Sequence, residues 1–123
     1  MAENSTVTIK DLMFQFVRYF NEKNAEGIGS LLQEDFSLFD PAFKWIHGRD
    51  KIVDVLKKQF EDTQYVEYKI IHAFEDGDTG ILEFQITLDD LTLYGVDFID
   101  AEGGKMKQLR CYYNPPENLP VNT

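Results

Sequence analysis

Residues 66–88 read VEYKIIHAFEDGDTGILEFQITL, and here the apolar repeat changes from about four residues to two. Five residues of the first run share one face of an extended strand: Val66, Tyr68, Ile70, His72 and Phe74. The acidic and glycine-containing segment 75–78 predicts a turn, and residues 82–88 alternate again. Two more such runs, 91–100 and 105–113, meet at a glycine pair. The pattern predicts four long antiparallel strands.

Upstream of these strands the apolar repeat is helical. The first predicted element is a helix over 9–20 with Thr8 as its N-cap. A short helix follows after Asn24 and carries Ile28, Leu31 and Leu32. Next come a short strand over 35–41, a second extended piece over 43–47 and a third helix after Gly48. Helices segregated from a strand meander define an α+β fold. We expect three N-terminal helices packed on a strongly curved antiparallel sheet, with a cone-shaped pocket between them.

The length and composition indicate one domain. A chain of 123 residues is close to the commonest domain size, so we predict a single domain over 1–123, with a core at 7–114 and an irregular, proline-containing tail at 115–123. The formal net charge of −10 argues against nucleic acid and anionic membranes as partners. The segment 1–10 lacks the apolar run of a signal peptide, and Cys111 is the only cysteine, so we expect a cytoplasmic protein. Two histidines without ligand spacing predict no metal site, and no motif implies a cofactor.

Three local motifs carry a resemblance to a known family. They are EDFSLFDP at 34–41, IHGRDKI at 46–52 and GKMKQLRCYY at 104–113. In this order and spacing, they resemble the SnoaL-like and ketosteroid-isomerase-like families of the nuclear-transport-factor-2 (NTF2-like, cystatin-like) fold. The resemblance covers nearly the whole chain, but that fold hosts many functions.

The resemblance implies half of a ketosteroid-isomerase site. Asp40, before Pro41, matches the general base. The tyrosine of the oxyanion hole is replaced by Phe16, and the position of its aspartic acid falls on Gly95 or Val96. Asp97 lies near this position but does not align with it, and the two supporting tyrosines correspond to Leu32 and Leu56. Losing one oxyanion donor typically slows a reaction by ~10²–10³, so we predict no efficient ketosteroid isomerisation.

Two residues are candidate catalytic groups. Asp40 shares strand parity with Phe36 and Leu38, which predicts a desolvated carboxylate in the pocket that can accept a proton near neutral pH. The alternative is that Asp40 caps a turn or lies at the pocket rim. His72 falls on the apolar side of its strand and could exchange one proton, although a hydrogen-bonded core histidine gives the same pattern.

Eight further residues are expected to contact a ligand: Phe16, Tyr19, Trp45, Leu56, Tyr68, Phe84, Cys111 and Tyr113. Core packing is the alternative for the tyrosines, and Cys111 is expected to behave as a small apolar residue rather than a nucleophile. Trp45 is expected near the pocket mouth, where it either stacks on a ligand or closes the core.

Two functions remain open at this point. One is a cofactor-free enzyme acting on a small apolar carbonyl, polyketide-like or epoxide-like molecule, with Asp40 as the acid–base group and His72 or a tyrosine as its partner. The other is a non-catalytic ligand-binding or dimerisation domain. An open pocket that contains Asp40 favours the first, and a pocket plugged by Phe16, Phe84 and Trp45 favours the second. We also predict a homodimer formed through the outer sheet face, with Ile71, Ile81, Leu93 and Ile99 exposed there.

Overall fold

A computed structural model of the protein describes residues 7–114. The tail predicted over 115–123 lies outside the described residues. The helices are α1 (Ile9–Asn21), α2 (Ala25–Gly29) and α3 (Arg49–Asp62). The strands are β1 (Leu32–Asp40), β2 (Lys44–His47), β3 (Val66–Asp76), β4 (Thr79–Leu88), β5 (Leu91–Glu102) and β6 (Lys105–Tyr113). In the described part of the chain, no helix combines the length and the apolar character needed to cross a membrane.

The six strands form one curved, unclosed sheet in the order β2-β1-β6-β5-β4-β3. The described sheet contains five pairs of neighbouring strands, and four of these pairs are antiparallel. The exception is β1, which runs parallel to β6 and joins the first part of the chain to the last described strand. The predicted α+β fold, with three helices on a curved sheet, is confirmed, but the sheet is mixed rather than wholly antiparallel.

Helix α1 begins where the sequence predicts. The Asp11 N–H donates to Thr8 Oγ1 at 3.1 Å, and the Thr8 N–H donates to Asp11 Oδ2 at 3.2 Å, so the two residues form a capping box. The buried face of the helix consists of the residues that the repeat selects: Ile9, Leu12, Met13, Phe16, Val17 and Phe20. This apolar stripe covers the concave side of the sheet and forms one wall of the interior.

Helix α2 is shorter than predicted. It ends at Gly29, and Leu32 begins β1 by pairing with Met106, so the prediction that Leu31 and Leu32 continue the helix is wrong. Its glycines lower helix propensity, but Gly27 also has a packing role. A β-carbon at Gly27 would lie 2.7 Å from the ring of Tyr19. The absence of a side chain therefore lets α1 and α2 approach closely.

Candidate functional site

A cavity of about 240 Å³ lies between the concave side of the sheet and the helices. Most of its wall is aliphatic and aromatic. Its polar groups are few and come from separate elements: Asp40 (β1), Gln59 (α3), Tyr68 (β3), Asp97 (β5), Cys111 and Tyr113 (β6). An apolar cavity with a few convergent polar groups is the usual form of a small-molecule site, although this one is smaller than the typical range of ~300–1,000 Å³.

Asp40 lies in the cavity wall, as strand parity predicts. It is partly buried, and its Oδ1 accepts hydrogen bonds from the Ala42 N–H at 2.8 Å and the Tyr113 hydroxyl at 3.0 Å. The bond from Ala42 closes a short turn around Pro41, so Asp40 caps a turn and faces the cavity at once. Burial, and then the charge of Asp40, raise the pKa of Tyr113, which therefore stays protonated as a donor.

Asp97 is a second carboxyl in the same wall. It is only 3% exposed, and its Oδ2 accepts a hydrogen bond of 2.6 Å from the Tyr68 hydroxyl. Burial raises the pKa of Asp97 from 3.8 to about 6, although the Tyr68 hydrogen bond and the nearby Cys111 thiol oppose this shift. Its Oδ1 is buried and has no hydrogen-bond partner among the described residues.

The sequence-based argument that the donor half of the site is missing is incomplete. Neither Phe16 nor Gly95 can donate through a side chain, but the protonated carboxyl of Asp97, two residues after Gly95 on β5 and held by the Tyr68 hydroxyl on β3, is a donor in the cavity wall. Sequence alternation could not place Asp97, because both faces of β5 carry apolar residues. Asp97 shares its face with Leu93 and Ile99, which are 8% and 0% exposed.

Six of the predicted ligand contacts line the cavity: Phe16, Leu56, Tyr68, Phe84, Cys111 and Tyr113. Phe16 and Phe84 leave the cavity open between them and do not plug it. The pKa of the Cys111 thiol is raised, first by burial and then by Asp97, so this thiol is not a nucleophile near neutral pH. Whether these side chains touch a ligand remains a prediction.

The expectation that His72 faces the pocket is wrong. The pairing of β3 with β4 shifts between Ile70 and His72, and this bulge moves every later side chain to the opposite face. His72 is therefore exposed on the outer side, where its Nδ1 lies 2.7 Å from Glu83 Oε1. Phe74 follows it outward and is 56% exposed.

Trp45 and Tyr19 are also outside the cavity wall. Ile46 is the inward residue of β2, so its neighbour Trp45 points to the outer face, is 45% exposed, and contacts the Phe39 ring at 5.4 Å. Its predicted place at the pocket mouth is therefore wrong. Tyr19 is partly buried between α1 and α2, because the cavity-facing positions of α1 are one turn apart, at Phe16 and Phe20.

The predicted outer face needs a similar correction. Leu93 and Ile99 are buried on the concave side, so they cannot form an exposed surface, whereas Ile71 is 41% exposed. The outer face carries aromatic side chains instead. We call Phe39, Trp45, Phe98 and Tyr112 the outer patch, because their rings form a chain with centroid separations of 5.4–6.0 Å.

Comparison with known proteins now places the chain in a family. The SnoaL-like domain family matches residues 14–109, which is more than half of the chain, and the protein belongs to this family. No curated protein matches it.

Solved structures share the fold. An NTF2-like protein from Cytophaga hutchinsonii superposes with a TM-score of 0.81 at 21% identity, over 92% of this chain and 96% of that one. A candidate polyketide cyclase from Pseudomonas putida gives 0.78 at 18% identity, over 89% and 93% of the two chains. A candidate ketosteroid isomerase from Kribbella flavida gives 0.77 at 20% identity, over 93% and 83%. At these identities the likeness concerns the fold alone.

Proposed function

We propose that the protein binds a small, largely apolar molecule in its cavity and carries out cofactor-free acid–base chemistry on it. One observation carries the proposal: two carboxyls from different strands face one apolar cavity, and each is hydrogen-bonded to its own phenol. Asp97 holds its proton to a higher pH than an ordinary carboxyl does. Two acidic groups in unlike environments suit opposite roles in proton transfer.

The roles follow from the hydrogen bonds. Asp40 is the proton acceptor, oriented through Oδ1 by Tyr113 and the Ala42 N–H, with Oδ2 receiving no hydrogen bond from the described residues. It removes a proton from a carbon next to a carbonyl, and the C–H electron pair moves to the carbonyl oxygen. Protonated Asp97 stabilises that oxygen with a hydrogen bond and keeps its proton. Asp40 then returns its proton to another carbon, where the enolate electrons form the new C–H bond and the carbonyl re-forms. Isomerisation of a small β,γ-unsaturated ketone fits this sequence.

The test uses a ketone that fits a small cavity. We expect 3-cyclohexen-1-one to be converted to its conjugated isomer, followed by ultraviolet absorbance. Asp40→Asn should reduce the rate by ~10²–10⁴, the usual contribution of a general base, while Asp90→Asn, at an exposed turn, should not change it. Since Asp97 must be protonated to donate, the rate should fall as the pH rises through about 6. Turnover that survives Asp40→Asn would sink the assignment.

A non-catalytic binding domain is the alternative, and the engagement of Asp40 in a turn favours it. The same titration separates the two. If amide chemical shifts of the cavity residues move with added ketone but no isomer forms from this ketone or from styrene oxide, the cavity binds without catalysis. If ketone titration leaves those shifts unchanged and no product appears, neither reading stands for this ligand size.

We also propose that the protein forms a homodimer through the outer patch. Trp45 and Tyr112 are 45% and 43% exposed, and large aromatic side chains with a central arginine are typical of interface cores. The Arg110 guanidinium lies over the Phe98 ring at 5.2 Å, and its buried Nε has no partner among the described residues. A second copy would cover the rings and could offer an acceptor to this arginine.

Sedimentation velocity tests the dimer. Wild-type protein should sediment as a dimer at micromolar concentration, and Tyr112→Lys should give monomers because it places a charge in the outer patch. Tyr65→Lys, the same change at an exposed residue outside the patch, should leave the dimer intact. A monomeric wild type contradicts the proposal.

We further propose a cytoplasmic location, without nucleic-acid or membrane partners, from the net charge of −10 and the buried free thiol of Cys111.

A further inference from the structure

The cavity contains negative charge without a compensating positive group. Asp40 and Asp97 lie in its wall, and Asp40 is close enough to raise the pKa of Asp97 through its charge. Among the described lining residues there is no Lys, Arg or His. A buried charge is normally paired with an opposite one, so the buried carboxyl of Asp97 requires either a retained proton or a cation from outside.

The surroundings of Asp97 leave one opening for such a cation. Tyr68 on β3 donates to Oδ2, and Cys111 and Tyr113 on β6 and Asp40 on β1 are the other titratable groups that face it. The described wall residues of α1, α2, α3 and β4 are uncharged. Oδ1 remains unpartnered although the side chain is 97% buried. Because Asp97 lines the cavity, this unpartnered oxygen is the place where a ligand can supply the missing donor.

Aromatic rings lie next to Tyr68, the hydrogen-bond partner of Asp97. The Tyr68 ring lies 5.9 Å from that of Phe16 and 5.4 Å from that of Phe84, and all three line the cavity. Ring faces attract organic cations, most strongly where water is excluded. A carboxylate with aromatic neighbours binds an ammonium group and the apolar body attached to it. The protein's net charge of −10 also raises the local concentration of cations.

We infer that the cavity takes a small apolar amine in its protonated form, with the ammonium N–H donating to Asp97 Oδ1. The inference rests on the proposed function, in which this cavity holds the ligand. It leaves Asp40 as the proton acceptor. For a cationic ligand Asp97 is ionised and accepts from the ammonium group, instead of donating as it does to a ketone. The small volume, about 240 Å³, limits the occupant to an amine with one ring or a short branched chain.

Benzylammonium and benzyl alcohol form a matched pair of probes, because they have nearly the same shape and differ in charge. At pH 7.5 we expect benzylammonium to bind at least roughly tenfold more tightly than benzyl alcohol. The reason is that a hydrogen bond between charged groups is stronger than one between neutral groups by about this factor. Asp97→Asn should abolish this preference, and Asp90→Asn should preserve it. Amide chemical shifts during titration give both dissociation constants and show whether the cavity residues respond.

A second measurement uses only the wild-type protein, in case Asp97→Asn fails to fold. At pH 5.5 Asp97 is mostly protonated, so cation binding should release roughly three-quarters of a proton, whereas benzyl alcohol should release none. Calorimetry in two buffers of different ionisation enthalpy measures this number. Binding of benzylammonium should also weaken about tenfold between pH 7.5 and pH 5, since protonation competes with the cation.

The outcomes separate the two proposals. If benzyl alcohol binds in the cavity as tightly as benzylammonium, the inference is overturned and the proposed function stands. A preference that survives in folded Asp97→Asn, or cation binding without proton release, places the charge elsewhere and also overturns the inference. If neither probe binds at millimolar concentration, the proposed ligand site fails together with the inference.

Discussion

Replacing Asp97 with asparagine keeps the shape of the side chain and removes its ionisation. In the folded protein burial raises the pKa of Asp97 from 3.8 to about 6, despite the hydrogen bond from Tyr68. The native state therefore holds this proton more tightly than the unfolded chain does. Ionisation of Asp97 destabilises the fold, and Asp97→Asn should relieve that destabilisation.

The sign and size follow from proton linkage. Below pH 3.8 both states are protonated, so the shift contributes nothing to stability. Between pH 3.8 and about 6 the unfolded chain loses its proton first, and wild-type stability falls as the pH rises. Above this window both states are ionised and the full penalty is present. A shift of roughly two pKa units corresponds to about 3 kcal/mol, of which about 2 kcal/mol should develop between pH 4 and pH 7.5.

Urea unfolding of wild type and Asp97→Asn at pH 4 and pH 7.5 measures the effect. The difference in the free energy of unfolding, Asp97→Asn minus wild type, should increase by about 2 kcal/mol or more from pH 4 to pH 7.5. A pH-independent offset is also expected, because the new amide N–H group lacks an acceptor, which costs about 1–3 kcal/mol. Only the change with pH is diagnostic. Asp90→Asn, the same substitution at an exposed turn, serves as the control.

One result would refute the reasoning. If the difference between wild type and Asp97→Asn is the same at both pH values, Asp97 ionises equally easily in the folded and unfolded states. Its assignment as the proton donor then fails. A difference that grows in the opposite direction, with the wild type gaining as the pH rises, would indicate a carboxylate stabilised by the fold.

Three further outcomes are expected. Steroid isomerase activity should be inefficient, with kcat below ~1 s⁻¹ on a β,γ-unsaturated 3-oxo-steroid. Phe16 cannot donate a hydrogen bond, and a cavity of about 240 Å³ is small for four fused rings. A faster rate would contradict this prediction. Because burial raises its pKa, the Cys111 thiol should react with a disulfide reagent far more slowly in native protein than in urea, and equal rates would show it to be accessible. Gly27→Ala should lower stability by ~1–3 kcal/mol through overpacking against Tyr19, more than the ~1 kcal/mol gained in helix propensity; an unchanged urea midpoint would show that the ring moves aside.

Local patterns predicted most elements, and they predicted Asp40. Helix α1 has a clear apolar repeat with a capping pair, and Pro41 marks the end of β1, so side-chain direction there follows from parity. The parallel pairing of β1 with β6 could not be predicted in this way, because it joins segments that are distant in sequence. Periodicity reports which residues share a face, not which strand is the neighbour.

The errors in the site have two physical causes. Asp97 was overlooked because both faces of β5 are apolar: Leu93 lines the cavity while Tyr94 and Phe98 face outward, so alternation did not identify the inner face. His72 was misplaced because a single bulge reverses the parity of the strand. The two isoleucines before it, Ile70 and Ile71, do not indicate in the sequence that a bulge is present. A one-residue irregularity is too small to change composition, yet it moves a side chain across the sheet.

The hydrogen bond from Tyr113 to Asp40 spans 73 positions of the chain. Contacts of such long sequence separation form slowly, since the entropy of closing the intervening loop must be overcome before they stabilise anything. During synthesis, β1 has no partner on its β6 side until β6 has left the ribosome. The cavity and its proton acceptor therefore assemble late, and a nascent chain must shield an unpaired strand edge and an open apolar interior until then.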